Sequence, residues 1–157
     1  MNDNKFCGAL FVDFAKAFDV IDHELLLKKL SYYSISDKTI LLLKSFLFDR
    51  QQTVCINKQQ SAPQKVKYGV PQGSVLGPLL FSIYINDLPL HITDTCEMFA
   101  DDTTLHSNND NVESLSVSLQ RSADEIQTWS QYNHMALNAN KTSNVNYNKT
   151  EATKFKI

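Results

Sequence analysis

Glu97 to His106 reads EMFADDTTLH. Two aspartates, Asp101 and Asp102, stand side by side between apolar or small residues and a pair of threonines. Aspartate is a turn former, so an isolated Ala-Asp-Asp is most simply a solvated turn. Short strand-like segments flank the doublet, however, and together they predict a β-hairpin with the carboxylates at its tip. Neighbouring side chains on a regular strand point to opposite faces, so both carboxylates reach one site only if a tight turn bends the chain there.

Working outward, the next acidic cluster is FVDFAKAFDVIDH, with Asp13 at the end of the strand-like run CGALFVDF. That run mixes β-branched, aromatic and small residues, as buried strands do. A helix follows over DHELLLKKLSYYS with Asp22 as N-cap, then a second through DKTILLLKSFLF capped by Ser36. QTVCINKQQSAPQKVKYG predicts two strands around a loop holding Pro63. GVPQGSVLGP is rich in Gly and Pro and reads as a loop, and LLFSIYIND after it as a buried helix. Beyond the hairpin, Asp110 and Glu113 resemble a capping box. Val112, Leu115, Leu119, Ala123, Ile126 and Trp129 then recur at helical spacing as a core stripe. The Asn-rich MALNANKTSNVNYN ends in strand-like alternation. The order β, α, α, β, β, α, β, β, α, β predicts an α+β fold, a mixed or antiparallel sheet with helices on one face.

If neighbouring strands carry both clusters, Asp13 lies beside Asp101. Three carboxylates about 4 Å apart repel on the order of 4 kcal/mol per pair at an effective dielectric of 20. One protonates or a divalent cation neutralises them, and a set of oxygen ligands suits Mg²⁺. Two such ions about 3.5–4 Å apart can clamp a phosphoryl transfer.

The bulk numbers frame this reading. A chain of 157 residues is long enough for one domain with a core, and 43% hydrophobic with 20% charged residues excludes a disordered or fibrous class. The longest apolar runs, GALFV and PLLF, are too short to span a bilayer, and the N-terminal MNDNKFCGALFV reads as a strand and not as a signal peptide. Cys7, Cys55 and Cys96 are scattered without a CxxC, as suits a reducing compartment, so an intracellular protein, cytoplasmic or nuclear, is expected. The four histidines show no zinc spacing. Net charge is −2, unlike a free-standing nucleic-acid binder, but it is uneven. Arg50 to Lys67 holds four basic residues and no acid, and Lys141 to Lys156 four lysines and one glutamate.

Four segments in order resemble reverse transcriptases. FVDFAKAFDVIDHELLLKKL resembles the first catalytic motif of the polymerase palm. GVPQGSVLGPLLFSIYINDLP resembles the second, in the form used by jockey-type non-LTR (LINE-like) retrotransposons, and is the most specific of the four. FADD resembles the third, with Phe99 where Tyr is commoner, and Trp129, Asn133, Leu137, Asn138, Lys141 and Thr142 resemble the fourth. The resemblance runs from about Phe6 to Asn148 and implies a palm core over residues 1–150, related to ferredoxin-like and RRM-like sheets, with a tail over 151–157.

The resemblance implies an RNA-directed DNA polymerase that joins a dNTP to a primer 3′-OH on an RNA template. Asp13 and Asp101 would bind two Mg²⁺ ions (or Mn²⁺), supported by Asp102. The backbone from Phe14 onward would lie along the triphosphate, and Phe18 would be the steric gate that excludes a 2′-OH. Pro71, Gln72, Gly73 and Ser74 would face the incoming nucleotide and template, and Lys141 the leaving pyrophosphate. Fingers, thumb and endonuclease regions are not recognisable in these residues, so a truncated palm with weak or no activity on its own is expected. The alternative is a non-catalytic remnant or a protein- or RNA-interaction domain that keeps the fold.

Overall fold

The computed structural model describes residues 5–147 and 152–155. The chain divides into two compact units, one of Met1–Ala17 with Ile85–Ile157, the other of Phe18–Tyr84.

The first unit is built on a five-stranded sheet. Its strands are β1 (Phe6–Val12), β6 (Thr95–Phe99), β7 (Asp102–Asn109), β8 (Ser143–Tyr147) and β9 (Ala152–Phe155), in the order β6-β7-β1-β8-β9. Every pairing is antiparallel. Within the expected tail at 151–157, Ala152–Phe155 supplies an edge strand. Alternation decides the faces. Leu10, Val12, Phe14, Thr103 and Leu105 are buried, and their neighbours Phe11, Asp13, Asp102 and Thr104 lie on the opposite, more open face.

The long helix α4 (Val112–Tyr132) packs on β1 and β7 through Leu115, Leu119, Ile126 and Trp129. Its N-cap is Asn111, whose side chain accepts from Ser114 N at 2.8 Å, one residue beyond the expected Asp110. Val112, expected in the core stripe, is exposed, and Ser122 is buried on the packed face. Asp94 explains that serine: it accepts from Ser122 Oγ (2.7 Å), Ser107 Oγ (3.3 Å) and Arg121 Nη2 (3.3 Å). These bonds fasten the chain before β6 to the helix, with few buried polar groups left unpaired.

The second unit contains α1 (His23–Tyr32), α2 (Asp37–Leu47) and α3 (Leu76–Ile85, whose last residue belongs to the first unit). Asp22 and Ser36 cap α1 and α2 as expected, accepting from Leu25 N at 3.0 Å and Thr39 N at 3.4 Å. Ile21, Leu26, Leu30, Leu47, Leu80, Phe81 and Tyr84 are buried. Lys29 is buried too, with Nζ donating to Tyr84 O at 2.7 Å and lying 5.0 Å from the centroid of that ring. The last turn of a helix is electronegative, which favours a cation there. α3 starts at Leu76, inside the stretch expected to be all loop. Pro78 falls in its first turn, where the missing N–H has no intrahelical partner to lose.

The expected strand pair before that loop is four two-residue strands, β2 (Gln51–Gln52), β3 (Cys55–Ile56), β4 (Gln59–Gln60) and β5 (Gln64–Lys65). β2 pairs with β5 and β3 with β4, both antiparallel. The reversal is at Asn57–Lys58, with φ of 50° and 66°, and not at Pro63. Positive φ at both central residues marks a type I′ turn, which matches strand twist and tolerates Asn.

Candidate active site

β1 and β7 converge on the carboxylates. Val12 pairs with Thr103 as the last rung, and both side chains are buried. One residue further along each strand are Asp13 and Asp102, which alternation places on the open face across from each other. Register therefore sets Asp102 opposite Asp13, where Asp101 was expected. Asp101 occupies the second position of the two-residue turn between Phe99 and Asp102, which are themselves paired. Ala100, the first turn position, has φ of 54°. Positive φ at that position alone is the type II′ pattern, which favours glycine, so an alanine held there is strained.

Asp13 is held from the other side of the chain. Asn138 N donates to Asp13 O at 2.8 Å, and Asn138 Nδ2 donates to Asp13 Oδ2 at 2.9 Å. The Lys141 ammonium lies 3.8 Å from Oδ1. Phe14 bridges Leu137, and Ala15 N donates to Ala136 O at 2.8 Å. Residues 13–15 thus continue β1 by pairing with 136–138, and Lys16 leaves that ladder with φ of 51°. Asn138 carries two bonds to Asp13 but drew no role from the sequence. The signal was its place in the LNANKT segment, three residues before Lys141.

Several expected substrate residues are engaged structurally. Phe14 is 3% exposed and its ring packs 6.0 Å from Trp129, so the ring is part of the core. In the second unit, Phe18 is half-buried and stacks on the buried Phe81 at 4.4 Å, which fixes its ring. Val70 N donates to Phe18 O at 2.9 Å, and Gln72 Nε2 donates to Asp19 Oδ1 at 2.8 Å. The 69–74 loop is therefore strapped to Phe18 and Asp19. Ser74 Oγ donates to Pro71 O at 2.6 Å and accepts from Gly77 N at 3.0 Å, a turn-and-cap role.

The two loop glycines differ. Gly73 has φ of 79° with open space around it, so its backbone demands glycine and leaves room for a close approach. Gly69 also has φ of 79°, but a Cβ there would lie 2.7 Å from Asp19 O. Its carbonyl accepts from His23 Nε2 at 2.7 Å and Arg50 Nη2 at 3.0 Å.

Among the described residues no three His, Cys, Asp or Glu side chains form a ready-made metal cage. The donor set nevertheless fits Mg²⁺. That ion prefers one or two carboxylates completed by water and substrate phosphates, and Asp13 with Asp102 presents two hard oxygen donors on one face.

An antiparallel sheet backed by a helix, with paired aspartates at one strand end and on the adjoining hairpin, defines a polymerase-palm fold. The chain matches the family described as reverse transcriptase (RNA-dependent DNA polymerase) over residues 1–156, and it belongs to that family. It is 32% identical over 155 residues to the RNA-directed DNA polymerase from mobile element jockey of Drosophila melanogaster, covering 94% of this chain and 17% of that protein. It is 31% identical over 149 residues to the probable RNA-directed DNA polymerase from transposon X-element of the same organism, covering 92% and 16%. The chain thus spans about a sixth of these relatives. Among solved structures it resembles apo telomerase from Candida tropicalis, with TM-score 0.69, 18% identity and coverage of 90% of this chain and 31% of the other. A telomerase from the same organism in complex with a fragment of telomeric RNA gives TM-score 0.73 at 15% identity, covering 93% and 27%. At these identities the structures support the fold. No helix among the described residues is long and apolar enough to cross a membrane.

Proposed function

We propose that this chain supplies the palm chemistry of an RNA-directed DNA polymerase, joining a dNTP to a primer 3′-OH on an RNA template. One observation carries the reading: Asp13, at the end of a central strand and across from Asp102, is fixed by two hydrogen bonds from Asn138. A carboxylate oriented by neighbours on rigid elements is what a metal-assisted displacement needs.

Asp13, Asp101 and Asp102 would hold Mg²⁺ or Mn²⁺, which when bound supplies charge stabilisation at the phosphoryl oxygens. The chain's own residues then do the positioning. Asn138 keeps the Asp13 carboxylate from rotating. Lys141 places a cation beside it that can offset phosphate charge. Phe18, stacked on Phe81, gives a rigid ring able to exclude a 2′-OH, and Gly73 lets backbone approach a nucleotide. The chain alone is expected to bind metal but to extend primers poorly, since it spans 17% of the jockey polymerase.

Mn²⁺ binding followed by electron paramagnetic resonance tests the site. Asp13→Asn should weaken binding by about tenfold or more. Binding that is unchanged by Asp13→Asn and Asp101→Asn would favour a non-catalytic remnant. A primer-extension assay on an RNA template tests the expected weakness, and processive synthesis by these 157 residues would overturn it.

A further inference from the structure

Residues 50–66 form a projecting β-ribbon in the second unit that the candidate site does not use. Val66 N donates to Arg50 O at 2.9 Å, Gln51 pairs with Lys65 and Gln52 with Gln64. Ser61 N donates to Val54 O at 2.9 Å, Cys55 pairs with Gln60 and Ile56 with Gln59. Thr53 alone then faces Ala62 and Pro63, a bulge of the kind that tolerates proline inside a ribbon. From Arg50 to Ile56 the ribbon extends about 20 Å at ~3.3 Å per residue.

Every residue from 51 to 65 is exposed. A two-stranded ribbon with no buried face is marginal in water by itself, so packing does not account for it. Its charge points to a partner. Arg50 to Lys67 carries four basic residues and no acid, while the rest of the chain carries 11 basic against 17 acidic residues. Arg50 is partly spent at the root, donating from Nε to Leu47 O and from Nη2 to Gly69 O, each at 3.0 Å. Lys58 at the tip, Lys65 and Lys67 are exposed. Five glutamines (51, 52, 59, 60 and 64) add amides that both donate and accept.

We infer that this ribbon is a nucleic-acid arm that grips the phosphate backbone of a duplex through Lys58 and Lys65, with Lys67 just beyond its last rung, aided by the glutamine amides. That the duplex is template–primer rests on the polymerase reading; that the ribbon binds phosphate does not. Lysine contacts to phosphate release counterions, and amides can meet the 2′-OH that marks RNA.

The test is fluorescence anisotropy with a short labelled RNA–DNA hybrid, an RNA duplex and a single-stranded RNA, on the full chain, across about 50–200 mM salt. In the variant Lys58→Gln/Lys65→Gln/Lys67→Gln, duplex affinity should fall about tenfold or more at the low-salt end. The slope of log K against log salt should become shallower by about 2–3. The Lys→Arg variant at the same three positions should restore both. Matching far-ultraviolet circular dichroism and unchanged Mn²⁺ binding would show that the fold and the carboxylates are intact. An unchanged affinity and slope, no duplex binding by the unmodified chain, or binding lost only through Val54→Ser/Ile56→Ser would overturn the proposal, the last result marking a protein-docking surface. A lysine-dependent slope in a chain that neither binds Mn²⁺ nor extends a primer would uphold the arm while the polymerase reading falls.

Discussion

Among the described residues two hairpins have two-residue turns built on non-glycine residues at positive φ, and they are opposites. The β6–β7 turn, Ala100–Asp101, is acidic and sits at the rim of a five-stranded sheet. The ribbon turn, Asn57–Lys58, is basic and sits on strands with no buried residue. Asn accepts φ > 0 readily, so the ribbon turn is written into local sequence. Ala does not, so the sheet must impose the Ala100 conformation through the pairing of β7 with β1. One turn aims carboxylates from a five-stranded sheet, and the other displays cations on an exposed ribbon.

The largest expected contrast is in hydrogen exchange. Amides of 103–107 should be protected at least on the order of a hundredfold longer than those of 52–61, about 3 kcal/mol in opening free energy. Comparable protection would erase the distinction drawn between the two hairpins. Next is the root of the ribbon. Gly69→Ala forces a Cβ to 2.7 Å from Asp19 O at φ of 79°, and should lower stability by about 3 kcal/mol, read as a fall in the urea midpoint. Asn138→Ala removes one of the two bonds on Asp13 and should cost about 1–2 kcal/mol. The same variant should weaken Mn²⁺ binding about tenfold, as loss of a ligand-orienting partner does.

A smaller effect, with opposite signs in the two turns, sharpens the comparison further. Ala100→Gly should stabilise by about 1 kcal/mol by relieving strain, whereas Asn57→Ala should destabilise by about 1 kcal/mol. Thermal unfolding of both variants checks the pair. The smallest effect is chemical. Cys55 on the ribbon is exposed, while burial raises the Cys96 thiol above its ordinary value. Maleimide labelling followed by mass spectrometry should therefore modify Cys55 before Cys96, with Cys96 gaining reactivity as pH rises. The sign for stability follows: the folded form favours the neutral Cys96 thiol, and that contribution is lost as pH climbs through the raised value.

Much of the fold was legible because periodicity and caps are local. Asp22 and Ser36 announce their helices, and the doublet announces a hairpin. The misplaced features share a cause. Asn111 displaced Asp110 as cap, and Asn57–Lys58 displaced Pro63 as turn, because several residues in each stretch have the right chemistry and only backbone geometry chooses among them. In the site, the carboxylates, Asn138 and Lys141 were visible as motif residues, but the role of Asn138 was not, because its partner Asp13 lies 125 residues away.

The sequence by itself determined most of the element types, the placement of Asp101 and Asp102 at a turn, the segregation of basic residues into 50–67, and the family. Those follow from side-chain periodicity, turn chemistry and motif order, which are properties of contiguous residues. Only the tertiary structure decided that Asp102 stands across from Asp13, that Asn138 bonds both the backbone carbonyl and the carboxylate of Asp13, and that the basic segment is a bare ribbon. Register and burial are settled by pairing between distant strands, and a one-residue shift would send every side chain to the other face.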